Sequence, residues 1–542
     1  MRLLGGNCMF FRKNLTFLAA VILFGSSSFA LVNTNNGNFS ISYSDFSLPS
    51  VGVPFEVTRT YNSRSNYVQG FFGVGWSSNL ESYLKFSDRN IVLHEGGGGN
   101  ALSFKSIGSN KWQSTTSGKQ SLVKKNREGK VSYILKKANL QTVKFDAKGR
   151  MTLIADQAGN YLKFIYSSKR LSKIQNNKNK QMSISWGDFG NRPRITLLSS
   201  GDLKARFTYD KKGNLKKAIG ADAIPYTYAY DDEHNMLRIN YQNGSKKKMT
   251  YNKIRDWVSS FTDQENNVSE YRYESDALNP ENKFGTTVVQ YKKGSKNKSY
   301  SKFWYEFRKR SDGSRYNYRT LSNLNGNVSE TIFTECCGTP LAISEWKIKG
   351  RKLASDSWKE KTPSGAKKIT RFEYYPDGLL KQKISASGVM TKLTYDSKSR
   401  KIASVKKKGM QYSYKYDPKG NLKTAVDFGA NKKLELVYDL DGRVKVMIDS
   451  KVKNNKNAKY LYFRYKGGPR PVQVKHKNAS GKVVGVLNFK YNKQNRFLGM
   501  YNAKGQPVST QNELKLAESV ARAFKTLVDI VEPASVDLNP EA

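Results

Sequence analysis

The side chains that most often carry out chemistry are sparse in this sequence. Its three histidines, His94, His234 and His476, lie far apart in polar segments, and none has a companion at metal-ligand spacing. Neither a metal site nor a catalytic triad is therefore predicted from them. Carboxylates are plentiful, and a pair for glycoside hydrolysis stays open because a sequence does not show which carboxylates face each other. We expect no cofactor, no metal and no enzymatic activity.

Two adjacent cysteines, Cys336 and Cys337, form a candidate redox pair. Neighbouring cysteines can close only a strained eight-membered ring, so an ordinary structural disulfide between them is not expected. Two free thiols, a strained vicinal disulfide and bonds to another chain all stay open. The sequence contains no disulfide framework.

The acidic residue that recurs most regularly is the aspartate of a repeated unit. Units begin at Tyr395, Tyr416 and Tyr438, at spacings of 21 and 22 residues. Side chains alternate before each tyrosine, as at Met410, Tyr412, Tyr414 and Tyr416, which predicts a strand with one buried face. An aspartate follows, placed to bond the backbone of a tight turn, and a glycine three residues later takes a positive φ. The unit is therefore a strand, an Asp-x-x-Gly turn and a second strand.

The same unit occurs earlier in the chain. Counterparts at Phe145, Tyr166, Trp186, Tyr209, Tyr230 and Tyr251 have spacings of 21, 20, 23, 21 and 21 residues. A period this regular, in which each unit leaves a face to bury, predicts an all-β fold in which hairpins extend one antiparallel sheet. We assign a structural role in the repeat turns to Tyr209, Asp210, Gly213, Tyr395, Asp396, Tyr416, Asp417, Gly420, Tyr438, Asp439 and Gly442.

One helix is predicted at the end of the chain. Thr510-Gln511-Asn512-Glu513 is a capping box. Apolar residues then fall at helical spacing until Pro533, namely Leu516, Val520, Phe524, Leu527 and Val531. We expect this helix to cover a sheet edge or close an open end, because a long sheet needs protected edges. Binding of a partner is the alternative role.

The first thirty residues have the pattern of a secretory signal. Arg12 and Lys13 precede an apolar run from Leu15 to Phe24, and Ser28-Phe29-Ala30 is a small-x-small cleavage site. A retained anchor is the competing hypothesis, but an apolar run of roughly ten residues is short for a bilayer. We predict cleavage near Ala30 and a secreted, cell-surface or periplasmic protein. No later stretch approaches membrane-spanning length, so a transmembrane protein is not expected.

The chain is strongly basic. Cleavage removes three of its 93 basic residues and none of its 44 acids, which leaves a net charge near +46. Solvated outer strand faces explain such an excess, and so does attraction to polyanions outside the cytoplasm. No groove-reading helix or other nucleic-acid module accompanies the charge, so no specific nucleic-acid partner is predicted.

Two N-terminal motifs precede the repeats. Arg59-Thr60-Tyr61-Asn62-Ser63 is followed by Phe72-Gly73-Val74-Gly75-Trp76. This pair resembles the N-terminal domain of the rearrangement hotspot (Rhs) and YD-repeat family, and the Tyr-Asp units resemble its repeats. The resemblance covers most of residues 35–500. It implies a sheet that curls into a spiral or shell. In toxin-carrying members, such a shell surrounds a C-terminal effector, but the core segment and toxin region of those members have no counterpart here.

These features divide the chain into six segments. They are a signal peptide (1–30), an N-terminal Rhs-associated β domain (31–140), YD repeats (141–263), an irregular β insert with the two cysteines (264–370), further YD repeats (371–505), and a C-terminal helix with an acidic tail (506–542).

Three functional hypotheses follow. The first is an exported, non-catalytic YD-repeat protein that binds carbohydrate or anionic envelope polymers at the cell surface or in the periplasm. The alternative is an encapsulating shell component for a separately encoded effector or toxin, which predicts a protein partner. An envelope-degrading hydrolase is the third, and it would require clustered carboxylates in a cleft.

Overall fold

The computed structural model describes residues 30–518 and 520. Gaps lie at 51, 66–67, 88–89, 98–100, 115–119, 138–140, 311–312, 336–337, 349–366, 455, 467–469, 492–496 and 519. The predicted signal peptide up to residue 29, the cysteine pair and the acidic tail lie outside the described residues.

A small sheet forms the start of the described chain. Its four strands, in the order β1-β2-β3-β6, are Ala30–Val32 (β1), Phe39–Leu48 (β2), Phe55–Asn62 (β3) and Trp76–Ser78 (β6). A short 3-10 turn at Ser63–Ser65 and a hairpin of Gln69–Gly70 (β4) with Gly73–Val74 (β5) lie between β3 and β6. The burial of β2 alternates strictly over its first six residues, as expected for a strand with one face on a core.

All later strands belong to one antiparallel sheet of 36 strands, in which each strand pairs with its neighbours along the chain. Its first eighteen strands are Tyr83–Phe86 (β7), Asn90–His94 (β8), Ala101–Gly108 (β9), Lys111–Ser114 (β10), Ser121–Arg127 (β11), Lys130–Lys136 (β12), Thr142–Asp146 (β13), Met151–Ala155 (β14), Tyr161–Ser167 (β15), Arg170–Asn176 (β16), Gln181–Phe189 (β17), Arg192–Ser200 (β18), Leu203–Tyr209 (β19), Leu215–Ile219 (β20), Pro225–Tyr230 (β21), Met236–Tyr241 (β22), Lys246–Asn252 (β23) and Trp257–Thr262 (β24).

The remaining eighteen continue the same order. They are Asn267–Ser275 (β25), Lys283–Lys292 (β26), Ser299–Lys309 (β27), Arg315–Leu324 (β28), Asn327–Phe333 (β29), Pro340–Lys347 (β30), Lys368–Tyr374 (β31), Leu380–Ile384 (β32), Met390–Tyr395 (β33), Ile402–Lys407 (β34), Met410–Tyr416 (β35), Leu422–Asp427 (β36), Lys432–Tyr438 (β37), Val444–Lys451 (β38), Lys459–Tyr465 (β39), Pro471–Lys477 (β40), Val483–Tyr491 (β41) and Phe497–Tyr501 (β42). The predicted fold class, an extended all-β sheet of hairpins, is confirmed.

The sheet is open. Among the described residues, no ladder joins β7 to β42, the strands at its two ends. The edge of β7 instead meets the turn between β13 and β14, where Leu84 N–H donates to Gly149 O at 2.8 Å. The residues after β42 fold back on its edge, and Val508 N–H donates to Met500 O at 3.1 Å. Both edges therefore have backbone partners, which limits pairing with other chains.

Residues 267–347 differ from the expectation of an irregular insert, because they continue the same sheet with longer strands. β27 has eleven residues, and its ladder with β28 runs from Ser301 to Lys309. The predicted strand pieces Val288 to Tyr291 and Lys302 to Phe307 lie within β26 and β27. These strands carry no Tyr-Asp-x-x-Gly turns, so a repeat search does not find them although pairing continues.

We call the face of the large sheet that contacts the N-terminal sheet its inner face. Phe39, Tyr61 and Trp76 of the N-terminal sheet share one buried cluster with the inner face of β12–β24, including Phe207 and Ile239. A second buried cluster covers the inner face of β34–β41. Burial of these large side chains is the main source of stability in such a fold.

The described part of the predicted C-terminal helix (α1) comprises residues 511–518 and 520. Its capping box forms, since Thr510 N–H donates to Glu513 Oε2 at 3.1 Å and Glu513 N–H donates to Thr510 Oγ1 at 3.4 Å. Leu516 and Val520 belong to the second cluster, so the helix covers the inner face of the last repeats. No described helix is both long and apolar enough to cross a lipid bilayer.

Candidate functional site

The aspartate of a complete repeat unit organises its turn. Asp210 Oδ1 accepts the backbone N–H of Asn214 at 2.9 Å, and Oδ2 accepts the Asn214 side-chain amide at 2.9 Å. Gly213 N–H donates to Asp210 O at 3.1 Å, and its φ of 83° favours glycine. The adjoining Tyr209 lies at a bulge between β19 and β20. These residues therefore set the chain reversal.

The same turn recurs in the C-terminal repeats. Asp417 Oδ1 accepts the Asn421 backbone N–H at 2.8 Å. At Asp439, an arginine takes the place of the asparagine, and Arg443 Nε donates to Asp439 Oδ2 at 2.7 Å. The glycines with positive φ in these turns are Gly420 (77°) and Gly442 (82°).

The unit at Tyr395 lacks the glycine. Asp396 Oδ1 accepts the Ser399 N–H at 2.7 Å, and Arg400 takes the left-handed conformation with a φ of 57°. The hydrogen bond from the Ser399 backbone lowers the pKa of Asp396 below its ordinary value. The turn thus survives without glycine at the cost of a strained arginine backbone.

The tyrosine of most units has a second role that the sequence analysis did not assign. Tyr416 Oη donates to Ile402 O at 2.6 Å, so the hydroxyl reaches the return strand of the preceding hairpin. Burial raises the pKa of Tyr166, which makes the same bond, to about 12. Equivalent donor–acceptor pairs are Tyr209–Ile195, Tyr251–Met236, Tyr273–Val258, Tyr395–Leu380, Tyr438–Leu422 and Tyr465–Val444.

A buried ion pair within the N-terminal sheet is also hydrogen-bonded to the repeats. Arg59 Nε donates to Asp45 Oδ2 at 2.6 Å, and Arg59 Nη2 donates to Tyr228 Oη at 2.8 Å. The guanidinium lies 4.3 Å from the ring centroid of Trp76 and 4.5 Å from that of Tyr43. A buried pair of this kind is expensive to break, because one partner alone would leave a charge without compensation. We assign it a structural role.

The N-terminal motifs supply further contacts to the repeats. Trp76 Nε1 donates to Tyr230 Oη at 2.9 Å, and Met236 N–H donates to Tyr61 Oη at 2.9 Å. A side chain at Gly73 would bring its Cβ to 3.0 Å from the backbone nitrogen of Leu215. The motifs therefore dock the N-terminal sheet on the repeats, and the sequence alone did not reveal which repeat residues they contact.

The three histidines stay apart in the structure. The His94 ring stacks on Tyr83 with centroids 4.7 Å apart, and His234 Nδ1 lies 2.7 Å from Asn214 Oδ1. His476 is buried, and burial lowers its pKa below the ordinary value. In the described part of the chain, no three His, Cys, Asp or Glu side chains come together as a metal site would require.

Two hairpin turns that are far apart in sequence meet in space. Asn160 Nδ2, in the turn between β14 and β15, donates to Asp441 O at 2.7 Å in the turn between β37 and β38. Lys178 Nζ lies 2.8 Å from Asp441 Oδ1. A Cβ at Gly442 would approach Ala158 Cβ to 3.0 Å, so the two turns are in van der Waals contact. We call this contact the seam; it shows that the sheet curls back on itself.

The inner face of β28–β30 is not covered by either large cluster. Thr320 and Ser322 of β28 pair with Thr331 and Ser329 of β29, and Thr331 pairs with Ile343 of β30. All five side chains are only half-buried. This patch, which we call the inner wall, offers hydroxyl groups and one apolar side chain on the same face as the N-terminal sheet.

Comparison with known proteins gives a partial match. A family model described as a domain of unknown function (DUF6531) matches residues 30–104. No curated protein matches the chain. The chain is similar to a crystal structure of TcdB2-TccC3 without its hypervariable C-terminal region, at 12% identity and a TM-score of 0.44, over 84% of this chain and 24% of that one.

A second solved structure, TcdB2-TccC3-TEV, is similar at 11% identity and a TM-score of 0.39, over 92% of this chain and 29% of that one. The chain thus spans about a quarter of the length of the solved chains that it matches.

Proposed function

We propose that this chain is a non-catalytic, exported protein of the Rhs/YD-repeat kind whose curled sheet is the wall of a shell around a separately encoded polypeptide. The observation that carries the proposal is the seam, where Lys178 and Asn160 contact Asp441. A sheet that returns to contact itself encloses space, whereas a flat sheet that binds a ligand on its surface has no need of such a contact.

The size of the enclosed space limits the cargo. Twenty-three strand intervals separate β14 from β37, and at about 4.8 Å each they make a contour of roughly 110 Å and a ring roughly 35 Å across. A folded domain of about 100 residues has a radius of gyration of roughly 13 Å. Such a domain would fill that ring even before the space taken by the inward side chains of the wall is subtracted. The N-terminal sheet already occupies part of the space. We therefore propose that the cargo is an unfolded or short chain segment.

The inner wall is the surface that such a segment would contact. Its hydroxyl groups at Thr320, Ser322 and Ser329 suit an extended polypeptide, since they donate to and accept from backbone groups without requiring one sequence. The N-terminal sheet already covers the inner face of the first repeats, and α1 covers that of the last repeats.

The test is to purify the tagged protein from its own cells and to determine the intact mass of every chain that elutes with it. We expect one stoichiometric polypeptide that resists added protease while the wall is intact. Lys178→Glu reverses the charge that faces Asp441 and should expose the cargo to protease. Lys212→Glu is the matched control, because it reverses an exposed lysine that pairs with Asp232 at 2.6 Å away from the seam.

Two results would contradict the shell. One is elution of the full-length chain with no polypeptide, and the other is equal protease sensitivity of the cargo in both charge-reversed variants.

Binding of carbohydrate or envelope polymers is the second candidate. The structure describes every residue of β13–β23, and Tyr161 is the one aromatic residue at an outward position of those strands. Carbohydrate recognition therefore has no specific support here. Charge on that outward face favours an anionic polymer, as argued below.

A further inference from the structure

The outer face of β13–β23, opposite the N-terminal sheet, carries a row of cations. Strand alternation and register place nine basic side chains there, and all are exposed except the half-buried Lys173. The structure describes every residue from 141 to 310, and none of these nine side chains forms an ion pair there. The nine are Lys144, Lys163, Lys173, Lys204, Arg206, Lys217, Arg238, Lys246 and Lys248.

Acidic residues are absent from the middle of these strands. Within the strand bounds of β13–β23, all of which the structure describes, the acids are Asp146 and Asp188, and both lie at hairpin ends. Asp146 bonds its own turn through Arg150, and Asp188 pairs with Arg170 at 3.2 Å. Within the strands, the nine cations therefore have no carboxylate beside them, and Asp202, in the turn before β19, lines the same surface cavity as Lys204 and Arg206.

The next part of the same face is arranged differently. In β25–β29, Lys302 Nζ lies 2.7 Å from Glu274 Oε1, and Arg319 Nη2 lies 2.5 Å from Glu330 Oε1. Basic and acidic side chains thus neutralise each other there. A general excess of lysine would act on both parts of the sheet alike, so composition does not explain the unneutralised row.

One pair in the row has an unfavourable arrangement. Arg238 of β22 is directly opposite Lys248 of β23, and like charges directly opposite each other destabilise a sheet. A bound anion between them would remove that repulsion. The row extends over eleven strands, which at about 4.8 Å between neighbours is roughly 50 Å.

We propose that the outer face of β13–β23 binds an unbranched phosphodiester polymer without bases, of the kind that envelopes carry outside the cytoplasm. Charge complementarity supplies the attraction, and hydroxyl groups between the cations, such as Ser183, Ser185 and Thr208, are donors for phosphate oxygens. A nucleic acid is disfavoured because one outward ring, Tyr161, makes no stacking platform for successive bases. This binding would hold the shell at the envelope and is independent of what the shell contains.

The test measures binding of end-labelled poly(glycerol phosphate), long enough to cross the row, to the purified full chain over a series of NaCl concentrations. The variant Arg238→Gln/Lys246→Gln/Lys248→Gln should bind about tenfold more weakly. The slope of its plot of log K against log salt concentration should be shallower by about 2, because each of the three phosphates that is no longer neutralised contributes roughly 0.7 to the slope. A second variant, Lys204→Gln/Arg206→Gln/Lys217→Gln, should lose affinity to a similar extent.

The matched control is Arg272→Gln/Lys292→Gln/Lys293→Gln, which removes the same charge from exposed positions beyond the row and should keep its affinity. All of these positions are exposed, so correct folding of each variant is checked simply by thermal denaturation. An equal loss of affinity in the control variant would show attraction to net charge alone and overturn the site. Equal affinity for duplex DNA at equal phosphate concentration would overturn the choice of a base-free polymer.

Discussion

The hydroxyl of the unit tyrosine is the residue-scale feature that links one hairpin to the next. Tyr416→Phe removes the donor to Ile402 O while leaving the ring in the core. We expect the free energy of unfolding to fall by about 1–2 kcal/mol, because a carbonyl in a half-buried position loses its partner. Urea denaturation of the full chain measures the loss.

The matched control is Tyr300→Phe, since Tyr300 is 41% exposed and lies on a strand of the same sheet. We expect that variant to unfold at the midpoint of the original protein. An equal midpoint for the two variants would show that the tyrosine hydroxyls do not link the repeats energetically.

Glu81 makes stability depend on pH. Its carboxyl accepts the Phe71 N–H at 2.6 Å and the Ser78 hydroxyl at 2.7 Å, and desolvation raises its pKa from 4.5 to about 7. Between those two pH values, the folded chain holds a proton that the unfolded chain has lost. The contribution of Glu81 is therefore complete below about pH 4.5, decreases as pH rises, and changes no further above about 7.

Glu81→Gln should remove this dependence. The difference in melting temperature between the original protein and the variant, followed from pH 4 to 8, isolates Glu81 because other groups titrate equally in both. We expect the difference to shift in favour of the variant as pH rises. A constant difference over the whole range would refute the raised pKa.

At the scale of elements, the sequence predicts the strands and turns but not which residues they contact elsewhere in the fold. Alternation around Tyr416 and the Asp-x-x-Gly spacing are local signals, and local hydrogen bonds at Asp417 realise them. The acceptor of the Tyr416 hydroxyl lies 14 residues earlier, with 15 and 16 residues in two neighbouring repeats. The acceptors Ile402, Leu380 and Leu422 are all apolar, so an apolar residue recurring 14 to 16 positions before each tyrosine is the one sequence signal for this bond. The docking of Arg59 on Tyr228, 169 residues away, has no local signal.

The C-terminal helix depends on a glycine that lets it approach the sheet. A Cβ at Gly485 of β41 would lie 2.3 Å from Leu516 Cδ2, so Gly485→Ala must displace the Leu516 side chain and loosen the packing of the helix on the inner face. We expect faster hydrogen exchange in residues 511–518 and a loss of roughly 1–3 kcal/mol, as for other overpacked cores. Hydrogen exchange with mass spectrometry measures which residues exchange faster and by how much.

Removing the clash should restore the helix in part. Gly485→Ala/Leu516→Ala leaves space for the new methyl group, and we expect slower exchange in the double variant than in Gly485→Ala alone. Faster exchange in the double variant would mean that Leu516 holds the helix by contacts other than the one on Gly485.

At the scale of the whole molecule, the curl of the sheet has a covalent test that needs no mutation. A carbodiimide joins a lysine amine to a carboxylate only when the two are in contact, and Lys178 Nζ lies 2.8 Å from Asp441 Oδ1. We expect mass spectrometry of the digested, cross-linked protein to find the peptide that contains Lys178 joined to the one that contains Asp441. Arg443, which also pairs with Asp441 at 2.9 Å, does not compete because a guanidinium forms no such amide.

The pair Lys212–Asp232, 2.6 Å apart in neighbouring turns, is the internal positive control, because it links positions only 20 residues apart and needs no curl. Asp441→Asn should abolish the first product and leave the second. A Lys212–Asp232 product without any Lys178–Asp441 product would mean that the sheet stays open in solution. A shell would then be impossible, whereas the outward row of cations would still lie on eleven neighbouring strands, because its geometry depends on strand pairing alone.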